Sequence, residues 1–339
     1  MKHAYLLSIS LIITFTFQSC KEDKNANPFK ETLTITEATA SAEDEKKAYI
    51  TKYNAYIAVW NAVTPRVKRA YSVIDNSIND KTGRPLEEED TYFIPSLIES
   101  RAIVMLKDIV DQEPKIEQLD VLAPNLIASY KELLEPLKEL SDYYKLESYK
   151  DDDFKKGSEL YFKVREPIKK FIASSDILGT QLQEIDAKLS MEALAEYKEK
   201  DELLLYNKGM IITSLKQHSA PLYSITYDKY ADLDMEAYDL HLKNMITYHT
   251  EFKSLATKAE RLKRELKINT QDAFTMYYSN IDTYITEARN LKEMIQDSKK
   301  YTAMQSDVEQ KGIEFVGVSH LKVTAAGEKV ITSSNDLNR

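Results

Sequence analysis

Apolar residues along most of this chain recur at alternating steps of three and four, the spacing that one face of an α-helix produces. The pattern predicts a run of helices between residues 43 and 305, and from Tyr49 to Ile74 it holds without a miss. Because the average step is 3.5 residues, the helices should wrap around each other in left-handed seams. The predicted fold class is therefore all-α, an elongated antiparallel helical bundle with long coiled-coil-like helices and a short irregular C-terminal tail.

Proline and capping residues suggest where the helices are interrupted. Pro65, Pro136 and Pro167 fall inside otherwise regular periods, so kinks or short breaks are expected there. Three residues precede helical runs as N-caps do: Ser190, Asp234 and Asn269.

The last part of the chain, residues 306–339, has a different composition. It contains three of the seven glycines and an alternating piece from Ile313 to Val318. A short strand, a loop packed on the bundle and disorder are each compatible with this pattern. We predict an irregular tail.

The first residues resemble a bacterial lipoprotein signal. Met1 to His3 form a short segment with basic Lys2 and His3, Ala4 to Phe17 are largely apolar, and Ser19 places a small residue before Cys20. The apolar run is too short to cross ~30 Å of hydrocarbon as a helix. The resemblance implies that a signal peptide, residues 1–19, is removed and that Cys20 carries acyl chains, each buried CH₂ contributing ~0.8 kcal/mol to anchoring.

The residues after Cys20 are polar and lack an apolar period. Residues 20–42 are predicted to form a flexible tether, with an r.m.s. reach of roughly 25 Å. Lys21, Glu22 and Asp23 resemble a signal that sends lipoproteins of some diderm bacteria to the cell surface, and a generic charged linker is the alternative. The predicted location is the outer membrane, with exposure at the cell surface as a further expectation.

Composition excludes several classes of function. The net charge of −9 argues against a nucleic-acid partner, which needs a basic face. Cys20 is the only cysteine, so an acylated chain has no thiol left for a disulfide, a thiolate zinc site or a cysteine nucleophile. No glycine-rich phosphate loop occurs, and we predict no cofactor.

Tyrosine is abundant, with 22 residues against one tryptophan. Rings with an apolar body and a polar tip suit helix seams that reach the surface, so most of them should pack. A groove beside Tyr53, Tyr56 and Trp60 is the predicted position for a ligand, and the alternative is that these three rings belong to the core.

Residues 141–157 combine three tyrosines with three successive aspartates at a predicted helix–helix junction. Asp151 to Asp153 suit the start of the next helix, where acids cap backbone amides. The alternative is a cation or ligand site, although the spacing does not match an EF-hand.

The same stretch contains a set of residues that is similar to a known family: Tyr143, Tyr144, Tyr149, Lys150, Asp151, Asp152, Phe154, Lys156 and Gly157. They resemble the YiiG-like family of bacterial lipoproteins, an all-helical group whose function is not established. The likeness runs from about Lys46 to Lys300 and implies no catalytic residues.

Two further sets of polar residues lie within the predicted helices. His241 and His249 lie about two helical turns apart, but no third ligand is evident, so no metal site is predicted. Asp201 and Lys208 are seven apart in an apolar stripe and are expected to be partly exposed, a buried pair being the alternative.

Together these patterns predict a lipid-anchored envelope lipoprotein that binds or scaffolds and is not an enzyme. Its expected partners are the membrane, through acyl chains on Cys20, and an envelope protein or glycan. The alternatives are an enzyme acting on envelope glycans or peptides, and a bundle that binds a small molecule or metal.

Overall fold

The computed structural model describes residues 42–87, 92–97, 100–268 and 271–337. The predicted signal peptide, Cys20, Lys21 to Asp23 and the tether up to residue 41 lie outside this part of the chain, as does the predicted N-cap Asn269. Within the described part no β-strand forms, and a single isolated bridge pairs Ile78 with Pro85. The all-α prediction is confirmed.

The α-helices are α1 Ala42–Ser77, α2 Arg101–Asp111, α3 Glu117–Asp120, α4 Ala123–Lys145, α5 Tyr149–Asp152, α6 Lys155–Glu199, α7 Leu203–Ser219, α8 Met235–Ala256, α9 Ala259–Arg261, α10 Thr275–Gln296, α11 Ser298–Lys311 and α12 His320–Asp336. Short 3₁₀ segments occupy Ala220–Tyr223, Tyr227–Asp232, Gln271–Phe274 and Ile313–Phe315. Leu262–Leu266 forms a π-helical turn.

The chain divides into two compact units, and the boundary falls inside α6 between Asp186 and Ala187. The first unit, from α1 to the boundary, is called unit 1, and the second, from the boundary to α12, is called unit 2. A single bundle over residues 43–305 was expected from the sequence. The continuous helical period of α6 hides this division, because periodicity does not report which helices pack together.

Unit 1 buries the predicted stripe of α1. Val63, Val67 and Ala70 are fully buried there. α2 packs on α1 and α4, and α6 contributes Phe171, whose ring meets Tyr130 of α4 at 5.7 Å. Pro65, Pro136 and Pro167 lie inside α1, α4 and α6, so these prolines do not break the helices.

The end of α6 differs from the prediction that Ser190 caps a new helix. Ser190 lies inside α6, because its buried face continues through Ala193 and Leu194. The helix instead ends where Asp201 adopts a left-handed conformation, φ 54°, and the Glu202 N–H donates to the Tyr197 carbonyl.

Unit 2 pairs α7 with α8 and α10 with α12. The predicted N-cap Asp234 is confirmed, since its carboxylate accepts from the N–H groups of Glu236 and Ala237, both at 3.0 Å. Within the described ranges no helix is both long and apolar enough to cross a membrane.

The prediction of an irregular tail over residues 306–339 is wrong. α11 continues to Lys311, and α12 packs on α10 and buries Val323, Val330 and Ile331. Small and polar residues share this buried face, which made its apolar period weak in the sequence. Gly327 is one of them, and a Cβ there would lie 3.2 Å from the Tyr284 ring.

Three histidines of unit 2, His218, His249 and His320, are buried, and each makes a side-chain hydrogen bond. His218 Nδ1 lies 2.6 Å from the Tyr284 hydroxyl, and His320 Nδ1 lies 2.6 Å from the Tyr230 hydroxyl. Burial, reinforced by His241 and opposed by Asp239, lowers the pKa of His218 to about 3. The folded protein therefore keeps this imidazole neutral.

We expect acid to destabilise unit 2 through His218. Its pKa is 6.5 when unfolded and lower when folded, so the unfolded chain binds more protons and stability falls as the pH drops below 6.5. Between pH 7.5 and 5.0 the loss from this residue should be about 2 kcal/mol. Urea denaturation at both pH values, followed by circular dichroism, measures it.

His218→Asn is the control for this pH dependence. Asparagine does not titrate but can still bond the Tyr284 hydroxyl, so the difference in stability between the two pH values should shrink by about 2 kcal/mol. An unchanged difference would show that His218 does not contribute.

Candidate functional site

The family-like stretch folds into a cluster of rings at the junction of α4, α5 and α6. Tyr149 and Phe154 stack in parallel, with centroids 5.1 Å apart, and Tyr92 stands edge-on to both. Tyr143 and Tyr144 pack edge-on at 5.3 Å, and Tyr144 also meets Tyr92 at 5.7 Å. Such ring pairs are each worth ~0.5–1.5 kcal/mol beyond their buried area.

The backbone of this junction is strained at three non-glycine residues. Glu147, Asp153 and Phe154 have φ of 54°, 51° and 63°, and a left-handed conformation is rare for a bulky residue such as phenylalanine. Arg84 holds the turn from outside, since it pairs with Asp153 at 2.8 Å and lies 5.6 Å from the Phe154 ring centre. The ring packing therefore stabilises a turn that the backbone alone disfavours.

The capping interpretation of the aspartates is confirmed for Asp152. One of its carboxylate oxygens accepts from the Lys156 N–H at 2.9 Å, in the first turn of α6, and the other accepts from the Tyr143 hydroxyl at 2.6 Å. The bond from Tyr143 is the main reason that the pKa of Asp152 lies below its usual value. Lys150 and Asp151 are exposed.

Gly157→Ala should lower the free energy of unfolding by about 1–3 kcal/mol. A Cβ at this position would lie 2.6 Å from Tyr143 Cε1, and the ring is held in place by its bond to Asp152. Chemical denaturation followed by the fluorescence of Trp60, the only tryptophan, reports this loss in unit 1.

Gly317→Ala is the matched control. Apart from the adjacent residues, no heavy atom lies within 4 Å of a Cβ built there, so stability, measured by circular dichroism, should change by less than about 1 kcal/mol. If the two alanine variants lose the same stability, close packing does not explain the glycine of the family-like stretch.

The three rings predicted to line a ligand groove lie in the core of unit 1. Tyr53, Tyr56 and Trp60 are 2%, 0% and 4% exposed. Their polar tips are bonded internally, to the Leu182 carbonyl, the Asp120 carboxylate and the Ser175 carbonyl. This placement favours the alternative that the rings are packing residues.

Asp201 and Lys208 are not a pair. Asp201 is exposed and bonds Arg261 at 2.8 Å, whereas Lys208 is only 6% exposed, so the expectation that both are partly exposed is wrong for Lys208. Burial lowers the pKa of Lys208 to about 7. The position of Lys208 in the apolar stripe of α7 therefore predicts its burial better than its charge does.

A shallow surface depression of about 580 Å³, called the α10 groove, lies along the exposed face of α10 in unit 2. It is open to solvent, and its lining is hydroxyl-rich and entirely from one helix. The lining residues are Thr275, Tyr278, Ser279, Asp282, Thr283, Thr286 and Glu287.

α8 supplies a second set of polar groups beside this groove. His249 Nε2 lies 3.2 Å and Lys253 Nζ lies 3.3 Å from the Asp282 carboxylate. Lys253 also lies 5.1 Å from the centre of the Tyr278 ring. Burial, then the nearby charge of Lys253, lowers the pKa of His249, so its imidazole is neutral and donates Nε2–H to Asp282.

Two buried polar atoms beside the groove lack a partner in the described part of the chain. They are His249 Nδ1 and the Tyr278 hydroxyl. A buried polar atom without a hydrogen bond costs ~1–3 kcal/mol, so these two atoms lower the stability of the packing beneath the groove unless water reaches them.

Sequence reasoning missed this groove, although a signal was present. Thr275, Ser279, Thr283 and Thr286 recur at steps of three and four, on the face opposite the apolar stripe of α10. His241 and His249 do not share a ligand: His249 bonds Asp282, and His241 Nδ1 is buried without a partner in the described part. No cluster of three metal-ligating side chains occurs within the described ranges.

Comparison with known proteins gives the family. The family model described as "Protein of unknown function (DUF3829)" matches residues 47–335, which span both units, the ring cluster and the α10 groove. The chain belongs to this family. Its members carry no assigned activity in that description, so the family adds no catalytic or ligand-binding residues.

A curated relative supports the resemblance seen in the sequence. The uncharacterized protein YiiG of Escherichia coli (strain K12) is 26% identical over 179 residues, which are 51% of this chain and 51% of that protein. The chain thus spans about half the length of this relative. No solved structure matches. The predicted YiiG-like family is confirmed.

Proposed function

We propose that this DUF3829 protein is a lipid-anchored envelope lipoprotein that binds a polar envelope component in the α10 groove. The observation that carries the binding role is the groove itself, whose lining presents five hydroxyl side chains and two carboxylates. Hydroxyl and carboxylate groups that face solvent can exchange hydrogen bonds with a polar ligand.

The anchor rests on the sequence around Cys20. An apolar run followed by Ser19, Cys20 and charged residues supports acylation, and several acyl chains hold a protein stably where one would not. The outer membrane, with display at the cell surface through Lys21, Glu22 and Asp23, is part of the same proposal.

Binding is favoured over catalysis by the carboxylates of the groove. Glycoside hydrolysis uses two carboxyl groups that flank the bond being broken. The carboxylates that line this groove, Asp282 and Glu287, both belong to α10. An arrangement on one helix suits a surface that holds a chain from one side.

Labelling cells with radioactive palmitate tests the anchor. The parent protein should incorporate label and Cys20→Ser should not, while protease treatment of intact cells should degrade a surface-displayed chain. Absence of label on the parent would contradict the anchor, and protection until the outer membrane is broken would contradict surface display.

Crosslinking in the native envelope tests the groove. Ser279→Arg places a long cation in the exposed floor of the groove and should reduce the yield of crosslinked partner at least tenfold. Thr302→Arg is the control, because Thr302 is also an exposed hydroxyl residue and lies on α11 of the same unit. Equal yields from the two variants would contradict binding in the groove.

A further inference from the structure

The first turn of α12 is held by a tyrosine from a distant segment of unit 2. The His320 N–H donates to the Tyr230 hydroxyl at 2.9 Å, and the same hydroxyl lies 2.6 Å from His320 Nδ1. Ser319, at the N-cap position, makes no capping bond, and its buried Oγ has no partner in the described part of the chain. Tyr230 thus supplies an acceptor to the first turn of α12, a role that the N-cap side chain usually has.

The hydrogen-bond pattern fixes the positions of the hydrogens in this pair. Burial raises the pKa of Tyr230 to about 12, so its phenol keeps its hydrogen at neutral pH. Because the oxygen already accepts from the His320 N–H, the hydroxyl hydrogen is donated to His320 Nδ1, which therefore carries a lone pair. Burial lowers the pKa of His320, which keeps the ring neutral with its hydrogen on Nε2.

Protonation of His320 would break this arrangement. With a hydrogen on Nδ1, the Tyr230 oxygen would face two N–H donors, and its own hydrogen would lose its acceptor. His320 is only 4% exposed, so the added charge would also be buried. The charged residues of the 3₁₀ segment that carries Tyr230 are Asp228, Lys229 and Asp232. All of them are exposed, so that segment offers no buried carboxylate to the charged ring.

The other titratable groups around α12 are mostly tyrosines. Burial raises the pKa of each of them, so they are neutral at and below pH 7.5. They are Tyr223, Tyr277 and Tyr284 of α10, and Tyr301 of α11. The acids and bases on α12 itself are Lys322, Glu328, Lys329 and Asp336. With a pKa of 6.5 once exposed, His320 and His218 are the side chains around α12 that bind protons between pH 7.5 and 5.0.

α12 also covers a second pair of the same kind. The Tyr284 hydroxyl lies 2.6 Å from His218 Nδ1, and a Cβ at Gly327 of α12 would lie 3.2 Å from the Tyr284 ring. His218 is fully buried. The titratable groups that face it from α8 are Tyr238, Asp239 and His241. Release of α12 would bring water to the Tyr284 ring, so that His218 could take up a proton as well.

We propose that the Tyr230–His320 pair is an acid-sensitive latch, the α12 latch. Protonation of His320 releases the first turn of α12 from the Tyr227–Asp232 segment, and this release uncovers the Tyr284–His218 pair, whose protonation keeps α12 open. The opening is local, because α7 packs on α8 and α8 packs on α10 through contacts that do not involve α12. Mild acid therefore changes the exposed surface of unit 2 before the unit unfolds.

Native-state hydrogen exchange of the full-length protein at pH 7.5 and 5.0 tests the α12 latch. Each histidine that is uncovered, with its pKa back at 6.5, favours the open state by up to about 30-fold at the lower pH. After correction for intrinsic rates, the protection of the α12 amides should fall at least tenfold. At pH 5.0 they should be at least tenfold less protected than the amides of α8. Equal protection of the two helices would mean that unit 2 opens as a whole and would overturn the proposal.

His320→Asn tests the role of the imidazole. The asparagine Oδ1 can accept from the Tyr230 hydroxyl but takes up no proton. The loss of α12 protection between the two pH values should therefore be at least threefold smaller than in the parent protein. An undiminished loss would show that another group drives the opening, and the α12 latch would be overturned.

Tyr230→Phe tests the hydroxyl independently of His320. Phenylalanine keeps the ring but neither accepts nor donates, so the protection of α12 should fall at least fivefold already at pH 7.5. Tyr301→Phe is the matched control, because the Tyr301 hydroxyl donates to the Tyr227 carbonyl of the same segment at 2.9 Å and not to His320. It should change α12 protection by less than threefold. If Tyr230→Phe behaves like this control, the hydroxyl does not hold α12 and the proposal is overturned.

Discussion

Glu265→Ala is expected to lower the free energy of unfolding by about 3–5 kcal/mol. The Glu265 side chain is fully buried, and its carboxylate accepts from the Leu204 N–H at 2.7 Å and from Arg261 and Arg264 at 2.9 and 2.8 Å. Glu265 lies in the π-helical turn that follows α9, and by accepting from the Leu204 N–H it caps the first turn of α7. Alanine would leave the Leu204 N–H without its acceptor, open a cavity in a buried position and remove one of the two carboxylates that contact Arg261, which keeps Asp201.

Urea denaturation followed by circular dichroism measures this loss, and Glu309→Ala is the control. Glu309 is an exposed residue of α11, so its removal should change stability by less than about 0.5 kcal/mol. A loss below about 1 kcal/mol in Glu265→Ala would show that water replaces the missing carboxylate, and that the buried cluster is not a major source of stability.

Asp120→Ala should lower the free energy of unfolding of unit 1 by a similar amount, about 3–5 kcal/mol. Asp120 accepts from Lys52 Nζ at 2.9 Å, from the Tyr56 hydroxyl at 2.6 Å and from the Ile116 N–H at 2.8 Å. Lys52 is only 2% exposed and also donates to the Gln112 carbonyl just beyond α2. Alanine leaves the ammonium group buried without its counter-charge.

Trp60 fluorescence follows the unfolding of unit 1 in this experiment. Asp142→Ala, which breaks the exposed pair of Lys138 and Asp142, should cost less than about 1 kcal/mol. The double variant Lys52→Met, Asp120→Ala removes both buried charges and should be more stable than Asp120→Ala alone. If the double variant is the less stable one, Lys52 contributes through its carbonyl contacts and not through the pair.

The helices could be predicted from the sequence wherever one strongly apolar face was present. The stripe of α1 from Tyr53 to Ile74 is buried as expected. α12 was missed because Gly327 and Ser334 share its buried face with larger residues, so its period was faint. Ser190 was misplaced because a capping residue is only a local preference, which the packing of Ala193 and Leu194 overrides.

The candidate site was less predictable than the fold. The family-like residues came from resemblance, and the structure explains several of them by packing, as with Gly157 against Tyr143 and the Asp152 cap of α6. The groove was not predicted, because hydroxyls on an exposed helix face are ordinary in sequence. Their significance arises only when α8 brings His249 and Lys253 to Asp282.

By itself the sequence determined the all-α class, the apolar faces and the likeness to the YiiG-like family, because these depend on residues a few positions apart. Only the tertiary structure decided the partners of the polar groups: Glu265 meets Leu204 across 61 positions, and His249 meets Asp282 across 33. The physical reason is that a buried polar group is destabilising unless it makes a hydrogen bond. The packing of the helices determines which distant group supplies that bond.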